Sequence, residues 1–93
     1  MNFMETMTKL QIIIFKVFAE FNPFYKIGDS LGIIRPMQFK LMNEYKMTDT
    51  EQYAKDIEQL ITYGYFEISG EGFGNQNIIL TEKGYNFLSC NGY

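Results

Sequence analysis

At 93 residues the chain has room for one domain with a single modest core. Hydrophobic content of 46%, with 17% aromatic, is far from a disordered composition, and no apolar run approaches the roughly 18 residues that a membrane-spanning helix needs. The net charge of −3 is unevenly spread: residues 1–46 carry six basic and four acidic side chains, and residues 47–93 carry two basic and seven acidic.

Residues 1–7 contain no Lys or Arg, so a secretory n-region is not expected, no membrane partner is implied, and the cytoplasm is the default location. The single cysteine, Cys90, excludes an intramolecular disulfide and fits a reducing compartment. One domain over 1–93 is expected, with its ordered core at about 8–90.

The first helix is expected from about 8 to 21, with Thr8 as its N-cap. Leu10, Ile13, Ile14, Val17, Phe18 and Phe21 recur at helical spacing and form one apolar stripe. Ile12, Phe15 and Ala19 form a second, leaving only Lys9, Lys16 and Glu20 as a polar strip. A helix so apolar must be covered on both sides. Two accounts fit: a central helix in a small core, or a homodimer interface built on Ile12, Phe15 and Ala19.

Asn22-Pro23 ends that helix, because a residue before proline avoids helical geometry. Residues 24–35 are ambiguous; Gly32-Ile33-Ile34-Arg35 is a candidate short strand. Pro36 suits the first turn of a second helix, with Met37, Leu41, Met42 and Tyr45 inward and Lys40, Asn43, Glu44 and Lys46 outward. Thr48 or Asp49 then caps a third helix, with Glu51 in its first turn. Tyr53, Ala54, Ile57, Leu60 and Ile61 give that helix its apolar face, and Gly64 its C-terminal cap. The opposite face carries Glu51, Gln52, Lys55, Asp56, Gln59 and Thr62. Strands are expected at about 65–69 and 76–80, joined by Gly70-Glu71-Gly72-Phe73-Gly74-Asn75, which is hairpin turn chemistry. Thr81 caps a short last helix that buries Tyr85 or Phe87 together with Leu88.

Enzyme chemistry finds little support. There is no histidine, which removes the commonest general base and metal ligand, and one cysteine without histidine forms neither a thiol triad nor a zinc site. The spacing of Gly70, Gly72 and Gly74 is that of a nucleotide loop, but a strand follows it, so no helix N-terminus awaits a phosphate. No catalytic residue, metal or cofactor is expected.

Leu60 to Glu67 matches a segment of the type Leu-x-x-x-Gly-Tyr-(Ile/Phe)-Glu, and Leu80-Thr81-Glu82-Lys83-Gly84 matches Leu-Thr-x-Lys-Gly. With the hairpin between them, they resemble the winged helix-turn-helix superfamily of transcriptional regulators. The chain is also similar to small phage-borne winged-helix proteins of the YjcQ type. The resemblance covers about residues 8–90 and is strongest after Thr48. It implies an α+β winged helix-turn-helix fold: a three-helix core, a β-hairpin wing and a short C-terminal helix.

The resemblance also implies sequence-specific DNA binding by a non-enzymatic regulator acting as a homodimer. The third helix would be the recognition helix, with Gln52, Lys55, Asp56 and Gln59 facing the major groove, where Gln pairs with adenine and Lys contacts guanine. Residues 71–75 would be the wing tip. Lys40 and Lys46, with Lys26 and Arg35, would contact phosphates; a plain solvated face explains the same scattered cations. The charge departs from the family pattern, since nonspecific DNA affinity comes from Lys and Arg while the recognition helix and wing here are acidic. The second reading is therefore an acidic protein-binding module on the same fold. Glu51, Asp56, Tyr63 and Glu71 would then dock on a basic protein surface, as an inhibitor from a phage or mobile element would.

Overall fold

The computed structural model describes residues 6–72 and 75–93. Helix α1 spans Lys9–Phe21. Thr8 caps it reciprocally: the Gln11 N–H donates to Thr8 Oγ1 at 3.0 Å and the Thr8 N–H to Gln11 Oε1 at 2.9 Å. Strand β1 (Ser30–Gly32), helix α2 (Pro36–Glu44) and helix α3 (Thr50–Thr62) follow. Strands β2 (Phe66–Ser69) and β3 (Asn77–Leu80) and helix α4 (Glu82–Cys90) complete the chain.

The sheet is antiparallel in the order β1-β3-β2. Phe66 pairs with Leu80 and Ser69 with Asn77, so the expected hairpin forms in register. Of its connecting turn, Phe73 and Gly74, which belong to the expected wing tip, lie outside the described residues, as do residues 1–5 of the N-terminal stretch. Among the described residues no helix is long and apolar enough to cross a membrane.

β1 lies two residues earlier than the strand expected at Gly32-Ile33-Ile34-Arg35. It pairs with β3 from Ser30↔Ile79 to Gly32↔Asn77, and residues 33–35 turn instead. Pro36 is the reason. It opens α2, and its ring lies 3.2 Å from where a Cβ on Gly32 would stand, so the chain must bend between the two.

The core joins Ile14, Phe15, Val17 and Phe18 of α1 to Met37 and Leu41 of α2, Ile57 and Leu60 of α3, and Phe66, Ile78, Leu80 and Leu88. This decides between the two accounts of α1. Phe15 is fully buried inside its own chain, with its ring 5.0 Å from Phe66, 4.4 Å from Phe87 and 5.6 Å edge-on from Tyr65. It presents nothing to a second copy, because α4 and the start of β2 already cover that side. Ile12 stays 40% exposed and Ala19 half-buried, so the expected three-residue interface loses its central member. In α2 only Met37 and Leu41 turn inward; Met42, expected inside, faces solvent together with Phe39.

Local chemistry sets the helix ends. The Asp49 side chain accepts from the Gln52 N–H at 3.0 Å and starts α3. At the other end Gly64 takes φ +86°, the Gly64 N–H donates to Ile61 O and the Tyr65 N–H to Leu60 O, each at 3.0 Å. That 6→1 and 5→2 pair is a Schellman cap, and it aims the chain straight into β2.

Candidate functional site

The polar face of α3 divides into two. Asp56 is only 3% exposed. Its Oδ2 accepts from the Thr8 hydroxyl at 2.9 Å and its Oδ1 from Gln52 Nε2 at 2.9 Å. The buried Gln11 amide donates to Gln59 Oε1 at 2.7 Å and to the Asp56 carbonyl at 3.3 Å. Gln59 Nε2 in turn donates to the Tyr63 hydroxyl at 3.0 Å. Gln52, Asp56, Gln59 and Tyr63, spaced i, i+4, i+7, i+11, therefore form one hydrogen-bonded row along α3, joined to the start of α1 through Asp56 and Gln59.

Two expectations need correction. Asp56 faces neither a DNA groove nor a partner surface; it lies inside, against Thr8 and Gln11. Gln52 and Gln59 are exposed, as expected, but their side-chain amides are hydrogen-bonded within the chain. The physical reason is that position 56 lies three residues after Tyr53 and four before Leu60, on the buried side of the helix, where a polar donor from α1 satisfies it. Asp56→Ala should lower stability by about 2 kcal/mol, because it leaves the Thr8 hydroxyl and the Gln52 amide without their acceptor. Asp56→Asn should cost less, since its amide oxygen still accepts. Urea denaturation of the two variants checks the order.

Of the four expected phosphate contacts, Lys40 and Lys46 are engaged, whereas Lys26 and Arg35 are exposed and their side chains make no hydrogen bond or ion pair among the described residues. Lys40 Nζ lies 2.9 Å from Glu20 and 3.2 Å from Glu44, and these carboxylates hold its ammonium above its ordinary pKa. Glu20 also accepts from the Tyr45 hydroxyl at 2.6 Å, which pushes that phenol up to about 12. Lys46 sits at φ 58° just past α2 and donates to the Asn43 carbonyl at 3.2 Å, a cation at a helix C-terminus. Among Gln52, Lys55, Gln59, Lys40 and Lys46, Lys55 alone is exposed with no side-chain hydrogen bond or ion pair. Of the alternative protein-docking set, Glu51 and Glu71 are exposed, whereas half-buried Tyr63 accepts from Lys83 Nζ through its carbonyl at 2.7 Å.

A different surface emerges on the other side of α3. Between α3, the turn into α2 and the β2–β3 hairpin runs a groove of about 660 Å³. Ile34, Ala54, Ile61 and Ile68 wall it and Ile57 underlies it. Glu58 is the one charged residue among those lining it. The Tyr53 hydroxyl, also at its floor, donates to the Ile33 carbonyl, and burial raises its pKa. A shallower depression of about 390 Å³ shares Ile34 and Gln38 with the groove and extends it over Phe39 and Met42. Phe39 is 62% exposed.

The groove's residues come from three stretches of chain, each with an ordinary packing explanation alone, so no linear motif announces it. Its volume falls within the range of sites that hold a ligand, and its lining is mainly apolar with a few polar groups. Among the described residues no cluster of three His, Cys, Asp or Glu side chains is placed to hold a metal. The chain is a small α+β domain with an apolar groove on its surface. No protein-family model matches the chain, nor does any curated protein or solved structure.

Proposed function

We propose that the chain is a non-enzymatic binding module of the winged helix-turn-helix type, and that its ligand is a segment of another protein held in the groove beside α3. The order of elements supports the fold reading: the hairpin follows the third helix and β1 joins its sheet, as a wing requires. The groove carries the functional reading. On the side of α3 away from the residues that would read DNA, this chain has an apolar trough whose one charged lining residue is Glu58.

The partner's chemistry follows from that lining. Aliphatic or aromatic anchors fill the trough, and flanking Lys or Arg face Glu58 and Glu51 on the exposed side of α3. An inhibitor from a phage or mobile element, docked on a basic region of a host machine, fits this description. The DNA-reading homodimer that the resemblance implies keeps Lys55 on α3, with Lys26 and Arg35 outside it, as its exposed and uncommitted cations.

Panning a displayed random-peptide library tests the reading. Enriched sequences should pair apolar anchors with basic flanks. Ala54→Arg, on an exposed position of the groove wall, should abolish binding while thermal unfolding by circular dichroism stays unchanged, and Lys55→Glu should be tolerated. Tight, steeply salt-dependent binding to arbitrary duplex DNA in a shift assay, lost in Lys55→Glu, would defeat the proposal.

A further inference from the structure

The loop over residues 22–29, between α1 and β1, ends in two large apolar side chains that nothing in the chain covers. Phe24 is 87% exposed and Ile27 56%. The loop that carries them is tied down on both sides. Asp29 Oδ2 accepts from Asn22 Nδ2 at 2.6 Å and from the Lys26 N–H at 2.8 Å. The Gly28 N–H donates to Leu80 O and the Leu80 N–H to Asp29 O, both at 2.8 Å. Tyr25 packs edge-on against Tyr85 at 5.6 Å and donates its hydroxyl to the Tyr93 carbonyl. A loop whose backbone is already ordered loses less entropy on docking, and only the Phe24 and Ile27 side chains remain to be immobilised.

Resting on the reading of the α3 groove as a protein-binding site, we infer that Phe24 and Ile27, with Lys26 between them, enter that groove on a second copy of this chain. The groove is then occupied by its own kind until a partner displaces it. Charge supports this occupant. Lys26 stands between the two apolar side chains, and Glu58 is the charged residue of the groove. Among the described residues both ion pairs belong to Lys40, so Lys26 and Glu58 enter neither.

The loop cannot serve its own groove. It is bonded to Leu80 at the end of β3, whereas the groove opens beside Ile68 and Gln76 at the far end of the same hairpin. A second copy must supply it. An interface of two side chains and one ion pair is small, so association should be weak, and a protein segment with more anchors should displace it readily.

Sedimentation velocity on the full chain, from about 10 µM to 1 mM, tests this. The wild type should associate with rising concentration, and Phe24→Asp, at a fully exposed position, should remain folded and monomeric. Lys26→Glu and Glu58→Lys should each weaken association by roughly five-fold, and the double variant should restore it. A wild type monomeric throughout, a Phe24→Asp variant that associates normally, or a charge swap that fails to restore would each overturn the inference. The two readings fail separately. Monomeric protein that binds basic-apolar peptides, blocked by Ala54→Arg, sinks the inference alone. Rescue by the charge swap with no peptide bound sinks the partner reading and leaves the self-contact standing.

Discussion

Phe15→Ala should remove about 4 kcal/mol of stability, the largest loss expected from any single truncation in this chain. The ring is fully buried and stacks within 5.0 Å of Phe66 and 4.4 Å of Phe87, with Tyr65 edge-on. Truncation forfeits the transfer free energy of the ring, leaves a cavity walled by three other rings, and breaks aromatic pairs worth about 0.5–1.5 kcal/mol each beyond their burial. A domain of this size has roughly 5–14 kcal/mol in total, so much of the reserve disappears. Phe15→Glu goes further, because it forces an unpaired carboxylate into the same space, and it should yield an unfolded chain. Urea denaturation followed by circular dichroism measures the first, and proton-shift dispersion the second. A folded, monomeric Phe15→Glu paired with an associating wild type would restore the dimer interface on the second stripe of α1.

Features fixed by chemistry within a few residues were legible in the sequence. Thr8, Asp49 and Thr81 are found as N-caps, Gly64 closes α3 in a left-handed conformation, and the two strands flanking the Gly-rich turn pair as expected. Each depends on a backbone need that a particular residue type answers at that position. β1 was harder because three residues hold it only by pairing with β3, more than forty positions away in sequence. Phe15 shows a deeper ambiguity. Periodicity says that a second face of α1 must be covered, but cover from α4 and cover from another chain leave the same pattern.

Asp56 marks the opposite failure. Its polarity signals exposure, and only polar partners at the start of α1 make burial affordable. Thr8 is that partner for its carboxylate and Gln11 for its carbonyl, and their one visible sign was the capping-box spacing between the two. The groove is less legible still. Ile34, Ala54 and Ile68 belong to a turn, a helix and a strand. Helical or strand periodicity assigns each a separate packing role, and their convergence exists only in three dimensions.

Gly84→Ala should cost about 3 kcal/mol, although in an isolated helix the same change would be worth about 1 kcal/mol in its favour. Backbone freedom is not the reason. Gly84 lies within α4, and a Cβ there would stand 2.2 Å from the Tyr65 carbonyl oxygen and 2.8 Å from Leu80 Cδ1. The close approach is built by Thr81. Its hydroxyl accepts from the Gly84 N–H at 3.1 Å and reaches Tyr65 O at 2.9 Å and Gly64 O at 2.5 Å, pinning the first turn of α4 onto the start of β2. Alanine must push α4 away, which loosens Phe87 over Phe15 and weakens the Thr81 contacts together. Gly64→Ala gives the comparison. Its Cβ would meet only Lys83 Cδ at 3.9 Å, so the φ of +86° is the whole penalty, about 1–2 kcal/mol. Chemical denaturation should therefore rank Gly84→Ala below Gly64→Ala, and the reverse order would break the account of the Thr81 clamp. The groove lies on α2, α3 and the hairpin, away from α4, so whatever Gly84→Ala protein remains folded should bind the panned peptides with wild-type affinity. A loss of affinity in that folded fraction would mean that α4 helps shape the groove.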